Sequence, residues 1–336
     1  MTVKVGVIGV GMIGQEHIRR LMTTVPGAAV VAVSDIEEAR AREAAELVSG
    51  ARVYAEGEDL IAARDVEAVI VSSWGPTHAK YVLAAIRDGK PVLCEKPLAT
   101  TETDCSAIVD AETAFGRRLV QVGFMRRFDP QYVAMKETIA SGAIGAPLIF
   151  QSGHRNASVP AHYTGEMSLT DTAVHDIDIA RFLLDDEPEA ITVRAPRRNS
   201  RAGDVADPLM TLIDMRSGAL VAIETSVNVA YGYDIRGEVI GESGAVSLPD
   251  RSEVVVKTNG AFMGRIPPDW RERFAPAFDA EFRAFIAAAS EGRVAGPSAW
   301  DGYVATVTTL AGVKALKSKK TEPIKLRRRP KLYGES

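Results

Sequence analysis

The chain has 336 residues, 46% of them apolar and 25% charged, with a net charge of −4, which is enough for two domains with cores of their own. That balance gives no electrostatic reason for binding nucleic acid or an anionic membrane, and no run approaches the roughly 18 apolar residues of a membrane helix. The two cysteines, Cys94 and Cys105, can build neither a disulfide framework nor a cysteine zinc site. The amino terminus enters a strand pattern without a leader segment, so a cytoplasmic protein is expected.

Short, almost continuously apolar runs at 3–8, 29–33, 68–72, 92–94 and 119–122, with a weaker one at 51–54, read as strands covered on both faces. Helical patterns lie between them at 13–24, 37–49, 77–88 and 102–115. This alternation predicts right-handed βαβ units and an α/β domain over residues 1–123 with a doubly wound parallel sheet. From residue 124 the pattern changes. A helix at 131–141 ends at Gly142, a strand follows at 147–154, and a second helix falls around 171–184. Strand patterns then recur at 190–195, 209–215, 219–228, 235–241, 245–248 and 253–257, with hairpin signals at 214–219 and 241–244. Helices at 278–290 and 300–316 come last, the final one available to pack back on the first domain. Residues 124–336 thus predict an α+β domain with a large, open, mostly antiparallel sheet. The basic run Arg327, Arg328 and Arg329, with Lys325 and Lys331, reads as a solvated final strand or tail.

The first strand runs into Gly9-Val10-Gly11-Met12-Ile13-Gly14 and then a helix, the strand–turn–helix context that makes a glycine fingerprint informative. Gly9 permits the tight turn, Gly11 lets the backbone approach a pyrophosphate, and Gly14 lets the helix pack on the sheet. The phosphates then sit on unpaired N–H groups at the positive helix end. Asp35 ends the second strand, 21 residues after Gly14, where a carboxylate accepts from ribose hydroxyls and repels a 2′-phosphate. With Ile36 rather than Arg next, NAD is expected over NADP. Asp35 also suits the N-cap of the following helix. The fourth strand ends at Ser72-Ser73-Trp74-Gly75-Pro76-Thr77-His78. Ligands collect at carboxyl ends in such sheets, which points Ser73, Trp74, Pro76 and His78 toward the cofactor. Packing by Trp74 and helix capping by Thr77 or His78 are the competing roles.

The fifth strand ends in Glu95-Lys96-Pro97, placing Lys96 at the crevice where nicotinamide and substrate should meet. Farther on, Asp171 and His175 are four apart and share one helix face; Asp178 lies near it, while Asp176 is expected to point to solvent. A dehydrogenase removes a hydroxyl proton as hydride leaves the same carbon. Histidine suits that step because its unperturbed pKa lies near neutrality, and a carboxylate one turn away can orient it. His154, His162, Asp171 and His175 could be assembled into a zinc site, but no H-E-x-x-H spacing is present, and no metal is expected.

The glycine fingerprint, Glu95-Lys96-Pro97 and Asp171…His175-Asp176-Ile177-Asp178 together resemble the Gfo/Idh/MocA oxidoreductase family over essentially the whole chain. The block Gln121-Val122-Gly123-Phe124-Met125-Arg126-Arg127-Phe128-Asp129 is similar to its inositol 2-dehydrogenase branch, as are His154-Arg155-Asn156, Tyr231-Gly232-Tyr233-Asp234 and Gly296-Pro297-Ser298-Ala299-Trp300-Asp301-Gly302-Tyr303. The resemblance implies NAD-dependent oxidation of myo-inositol to 2-keto-myo-inositol (scyllo-inosose). It implies His175 as general base, Asp171 as its partner, and Lys96 in contact with substrate and cofactor. It also implies that Arg127, His154, Asn156 and Tyr233 line a polyol pocket, and that the chain forms a homotetramer through its large sheet. Other readings stay open: a dehydrogenase of chiro-inositol, scyllo-inositol or an aldose such as glucose, an NAD-using glycoside hydrolase, and an NAD sensor.

Overall fold

The computed structural model describes residues 2–48, 50–249 and 255–334. The chain divides into two compact units. The first comprises Met1–Met125, Phe278–Thr306 and Arg327–Ser336, and the second Arg126–Ala277 and Val307–Leu326.

The first unit holds strands β1 (Val3–Ile8), β2 (Ala28–Ser34), β3 (Arg52–Tyr54), β4 (Ala68–Val71), β5 (Val92–Glu95) and β6 (Val120–Gly123). They form one sheet in the order β3-β2-β1-β4-β5-β6, every pair parallel. Helices α1 (Met12–Thr23), α2 (Glu38–Glu46), α3 (Gly57–Ala62), α4 (His78–Arg87) and α5 (Glu102–Phe115) connect them. β4 and β5 are buried at every position, as two-sided coverage requires. One face packs Val3, Val5 and Val7 against Ile18, Leu21, Ala41, Ala44, Phe282 and Phe285. At the other, Gly6 lies so close to Leu60 that a Cβ there would sit 2.3 Å from its Cδ2. The strand order reverses direction between β1 and β4, the switch point where ligands bind in such sheets.

The second unit holds α6 (Pro130–Ala140), β7 (Pro147–Arg155), α7 (Val174–Leu184), β8 (Pro188–Arg194), β9 (Leu209–Met215), β10 (Leu220–Ser226), β11 (Asp234–Gly241) and β12 (Ala245–Ser247). The hairpin strands β13 (Val255–Thr258) and β14 (Ala261–Gly264) follow. Helices α8 (Trp270–Ala289) and α9 (Ala299–Ser318) each contribute to both units, and β15 (Glu322–Pro323) completes the sheet. Its order is β12-β11-β7-β10-β9-β8-β15, with β7 and β10 parallel and all other neighbours antiparallel. β9 alternates strictly, with Leu209, Thr211, Ile213 and Met215 buried and Met210, Leu212 and Asp214 exposed. One face of the sheet is therefore core and the other is open.

Several expectations are adjusted. The second helix ends at Glu46, and Ser49, placed within it by the sequence, lies outside the described residues; so do positions 253 and 254 of the strand expected at 253–257. The helix expected from Asp171 is α-helical only from Val174, and Ser168–Ala173 forms a π turn. α8 starts at Trp270 and carries Pro276 inside it. The basic run is not a fully solvated tail. Lys325, Arg328 and Lys331 are exposed, but Arg327 is half-buried and its N–H donates to the Tyr303 hydroxyl at 3.0 Å. Its guanidinium also pairs with Asp110.

Candidate active site

In the first unit the predicted cofactor residues gather at the carboxyl ends of β1, β2, β4 and β5. Gly9 takes a positive φ of 84°, and a Cβ there would lie 2.4 Å from the Ser73 backbone. A Cβ on Gly14 would come within 2.0 Å of the Gly9 carbonyl oxygen, so α1 meets this turn too closely for any side chain. At Gly11 the nearest neighbour of a Cβ is Arg40 Nη1 at 3.7 Å. No protein group therefore requires glycine at Gly11, whereas a ligand approaching the backbone does. The side chain of Asp35 is buried: Oδ2 accepts from the Val10 N–H at 2.8 Å and Oδ1 from the Glu37 N–H at 3.0 Å. The carboxylate thus braces the glycine turn as well as the start of α2. Arg40 pairs with Glu37 and lies 3.7 Å from Asp35 Oδ1.

Met12, Ile36 and Trp74, each following a strand's carboxyl end, are exposed by 62%, 98% and 77%. Exposure at that level removes packing as the role of Trp74 and leaves three apolar surfaces for a planar ring. Ile36 enters the sequence analysis only as an argument against arginine, and its exposure makes it a further candidate for that rim. Ile13 lies in the first turn of α1, and Pro76 is exposed in the turn after β4. His78 is buried, with Nδ1 2.7 Å from the Pro97 carbonyl and Nε2 2.9 Å from the Ser73 carbonyl. It ties the loop after β4 to the loop after β5 and provides no helix cap. These open backbone positions, the buried carboxylate and the exposed apolar rim fit a dinucleotide.

Lys96 follows β5, half-buried, before a cis Lys96–Pro97 peptide. Its N–H donates to Glu95 Oε2 at 3.1 Å. Glu95 Oε1 is 2.8 Å from His17 Nε2, and His17 is completely buried on α1 against Phe278 and Phe282. Burial pushes the Glu95 carboxyl up, but His17 and the Lys96 ammonium outweigh it and hold it below the usual range. His17 escaped the sequence reading. Its signal is its place in the apolar stripe with Gly14, Ile18 and Leu21, where an imidazole needs a polar partner.

The second unit carries the other predicted substrate residues, and it brings His154, His175 and Tyr233 together. His175 starts α7 and is 9% exposed; its ring centroid lies 6.3 Å from that of His154 on β7. Asp171 lies in the π turn one turn earlier, half-buried. A π turn is a local widening often found at functional sites. Tyr233 packs edge-on against His154, and its hydroxyl is 3.3 Å from His154 Nε2. Burial pushes that phenol up to about 12. Asn156 is half-buried just past β7. Arg127 donates to both carboxylate oxygens of the fully buried Asp178, at 2.9 and 2.6 Å.

Asp176 contradicts its expected solvent exposure, being fully buried. Arg126 and Ser152 donate to Oδ1 at 2.7 and 2.6 Å, and His154 Nδ1 lies 2.8 Å from Oδ2. Burial pushes its carboxyl up, but the Arg126 charge, His154 and Ser152 outweigh it and hold it well below the usual range. The expectation failed because α7 is buried all round from Val174 to Arg181 and has no solvent face there. Among the described residues, no group of three or more His, Cys, Asp or Glu side chains is placed to hold a metal ion. Among the described residues, no helix is long and apolar enough to cross a membrane.

A glycine-turn cradle at the switch point of a parallel sheet, and a partly buried histidine–aspartate set under a second sheet, define a nicotinamide-dependent oxidoreductase in outline. Residues 3–124 match the model of the oxidoreductase family with an NAD-binding Rossmann fold, and residues 132–247 match the GFO/IDH/MocA C-terminal domain. The chain belongs to the Gfo/Idh/MocA oxidoreductase family. It is 52% identical over 335 residues to inositol 2-dehydrogenase 3 of Saccharopolyspora erythraea, covering 99% of both chains. It is 50% identical over 336 residues to inositol 2-dehydrogenase of Azotobacter vinelandii, again covering 99% of each. The crystal structure of myo-inositol dehydrogenase from Lactobacillus casei with NAD(H) and myo-inositol superposes with a TM-score of 0.96 at 37% identity, over 99% of this chain and 100% of that one.

Proposed function

We propose that the chain oxidises myo-inositol to 2-keto-myo-inositol, using NAD as the hydride acceptor. The observation that carries this reading is the full-length likeness to inositol dehydrogenases, together with the presence of Lys96, Asp171 and His175. When bound, NAD accepts the hydride released from the ring carbon. The hydroxyl on that carbon loses its proton to His175, so a CH–OH becomes a carbonyl, with the hydride and the proton leaving separately. Asp171 orients the imidazole and stabilises its charged form. The Lys96 ammonium contacts substrate and cofactor, while Arg127, His154, Asn156 and Tyr233 hydrogen-bond the ring hydroxyls. A site built to pair each hydroxyl rejects the wrong epimer, because a misplaced hydroxyl leaves a buried polar group unpaired. Gly9, Gly11, Gly14 and Asp35 hold the dinucleotide, with Met12, Ile13, Ser73, Trp74, Pro76, His78 and Glu95 around it.

Residues 1–123 act as the NAD-binding domain and 124–336 as the substrate-binding and oligomerisation domain, except that Phe278–Thr306 and Arg327–Ser336 group with the first unit. The open sheet face supports a homotetramer: Met210 and Leu212 are exposed on it, and apolar surface of that kind favours burial against another copy. Two free, buried cysteines fit a reducing cytoplasm. Purified protein should form NADH with myo-inositol faster than with chiro-inositol, scyllo-inositol or glucose, and faster with NAD than with NADP. Absence of myo-inositol-dependent NADH formation defeats the reading.

A further inference from the structure

Asp176 contacts no predicted ligand group except through His154. Its Oδ2 has His154 Nδ1 as its hydrogen-bond partner at 2.8 Å, and a carboxylate oxygen can only accept. That contact requires the proton on Nδ1. Arg126 Nη2 makes the opposite demand: it lies 2.9 Å from the same nitrogen, and a guanidinium can only donate. The conflict is decided by what each partner loses. A bare Nδ1 sets its lone pair against an anionic oxygen in a site buried from solvent, leaving Oδ2 without a donor. A protonated Nδ1 takes an acceptor from Arg126 Nη2, in addition to the buried Nε that has none among the described residues, but Arg126 keeps its 2.7 Å bond to Asp176 Oδ1 and its place over the Phe274 ring. The anionic Oδ2 left without a donor and set against a lone pair is the costlier outcome, although Oδ1 keeps Arg126 and Ser152 in both cases. His154 Nε2 then carries the lone pair, and the Tyr233 hydroxyl lies 3.3 Å from it.

We propose that Asp176 is a positioning residue: it holds His154 in the Nδ1-protonated tautomer, so that Tyr233 donates its proton to Nε2 and offers its phenol oxygen to the polyol as a hydrogen-bond acceptor. This rests on the reading of Tyr233 and His154 as polyol ligands. The chain Asp176–His154–Tyr233 thereby fixes the direction of one substrate hydrogen bond from within the core. Asp176→Asn keeps the shape but places an amide donor against Nδ1. Arg126 and the amide then agree, the proton moves to Nε2, and Tyr233 turns from acceptor to donor.

Magic-angle-spinning NMR of protein labelled with 15N-histidine reads the tautomer, with His154→Gln assigning one signal among the five histidines. The wild type should show His154 protonated at Nδ1, and Asp176→Asn should show it protonated at Nε2. The KM for myo-inositol should rise about ten-fold in Asp176→Asn, the effect of one misdirected hydrogen bond, with the Kd for NAD unchanged. A wild-type Nε2 proton overturns the proposal without recourse to any variant, as does an unchanged KM in a variant whose tautomer has reversed. Failure of the underlying functional reading is separate, because the wild type itself would then form no NADH from any cyclitol.

Discussion

Gly11→Ala isolates the cofactor cradle from the fold. The backbone at Gly11 has φ −68° and ψ −160°, extended values that alanine adopts without strain, and its new methyl would meet nothing nearer than Arg40 Nη1 at 3.7 Å. Losing glycine at a helix N-cap costs about 0.5–1.5 kcal/mol, offset by about 0.4–1 kcal/mol from the stiffer unfolded chain. The protein without cofactor should therefore change by less than about 1 kcal/mol, a Tm shift of no more than about 4 °C. The methyl would instead occupy the space into which a pyrophosphate approaches. Overfilling a close contact costs about 1–3 kcal/mol, or about 5- to 150-fold in Kd. At an NAD concentration of about 100 Kd the wild type gains about 2.7 kcal/mol of stability. If Kd rises about 100-fold, the same concentration yields only about 0.4 kcal/mol, so the NAD-induced rise in Tm nearly disappears. Calorimetric titration and thermal denaturation with and without NAD read both quantities. A variant with wild-type NAD affinity would refute the assignment of the pyrophosphate to this turn.

His175→Ala should lower turnover about 10²- to 10⁴-fold, the span of general-base contributions, while titration finds NAD affinity unchanged; wild-type turnover rules out the proposed base. Asp35→Ser should gain about 1.5–3 kcal/mol in NADPH binding, by removing the carboxylate that repels a 2′-phosphate and letting Arg40, now held by Glu37 alone, make a charge-assisted bond to it. Fluorescence titration should find that gain abolished in Asp35→Ser/Arg40→Ala, and its persistence there clears Arg40 of the role. Burial holds the Glu112 carboxyl above its usual range although Tyr333, Leu119 and Val120 all donate to it. A raised folded pKa means a contribution to stability that is complete below the unfolded value of about 4.3 and is lost as pH rises through the folded value. The Tm of Glu112→Gln relative to wild type should accordingly climb between pH 4 and pH 7, and a constant difference contradicts the assignment.

The first unit was legible because buried parallel strands leave continuous apolar runs, and the glycine turn and Asp35 stand at fixed distances from them. What escaped was too short or too irregular to carry a period. α3 is six residues long, β15 is two residues containing Pro323, and the π turn at Ser168–Ala173 has no sequence signature separate from an α-helix. The start of α8 was hidden by Pro276, which reads as a breaker but is accommodated inside the helix. Asp176 and His17 were misread or missed for a common reason. Each is a polar residue whose partners are distant in the chain, and helix spacing reveals the face a residue lies on without revealing what covers that face.

The consecutive arginines at the start of the second unit explain how His175 is held. Arg126 and Arg127 lie in the short turn Met125–Phe128 and reach Asp176 and Asp178 respectively. Those acids flank the segment of α7 just after His175, so two adjacent residues of one turn grip the helix at two points separated by roughly half a turn. A single pair would leave the helix able to rotate about it, and two do not. Stability alone is a poor reason for this arrangement, because replacing a buried ion pair with well-packed apolar residues is often neutral or stabilising by about 1–4 kcal/mol. Breaking one member costs about 3–5 kcal/mol, since a charge is left buried without a partner. The pairs therefore penalise every other rotation of α7 far more than they favour folding itself. That asymmetry suits an element whose first turn carries His175, the proposed base.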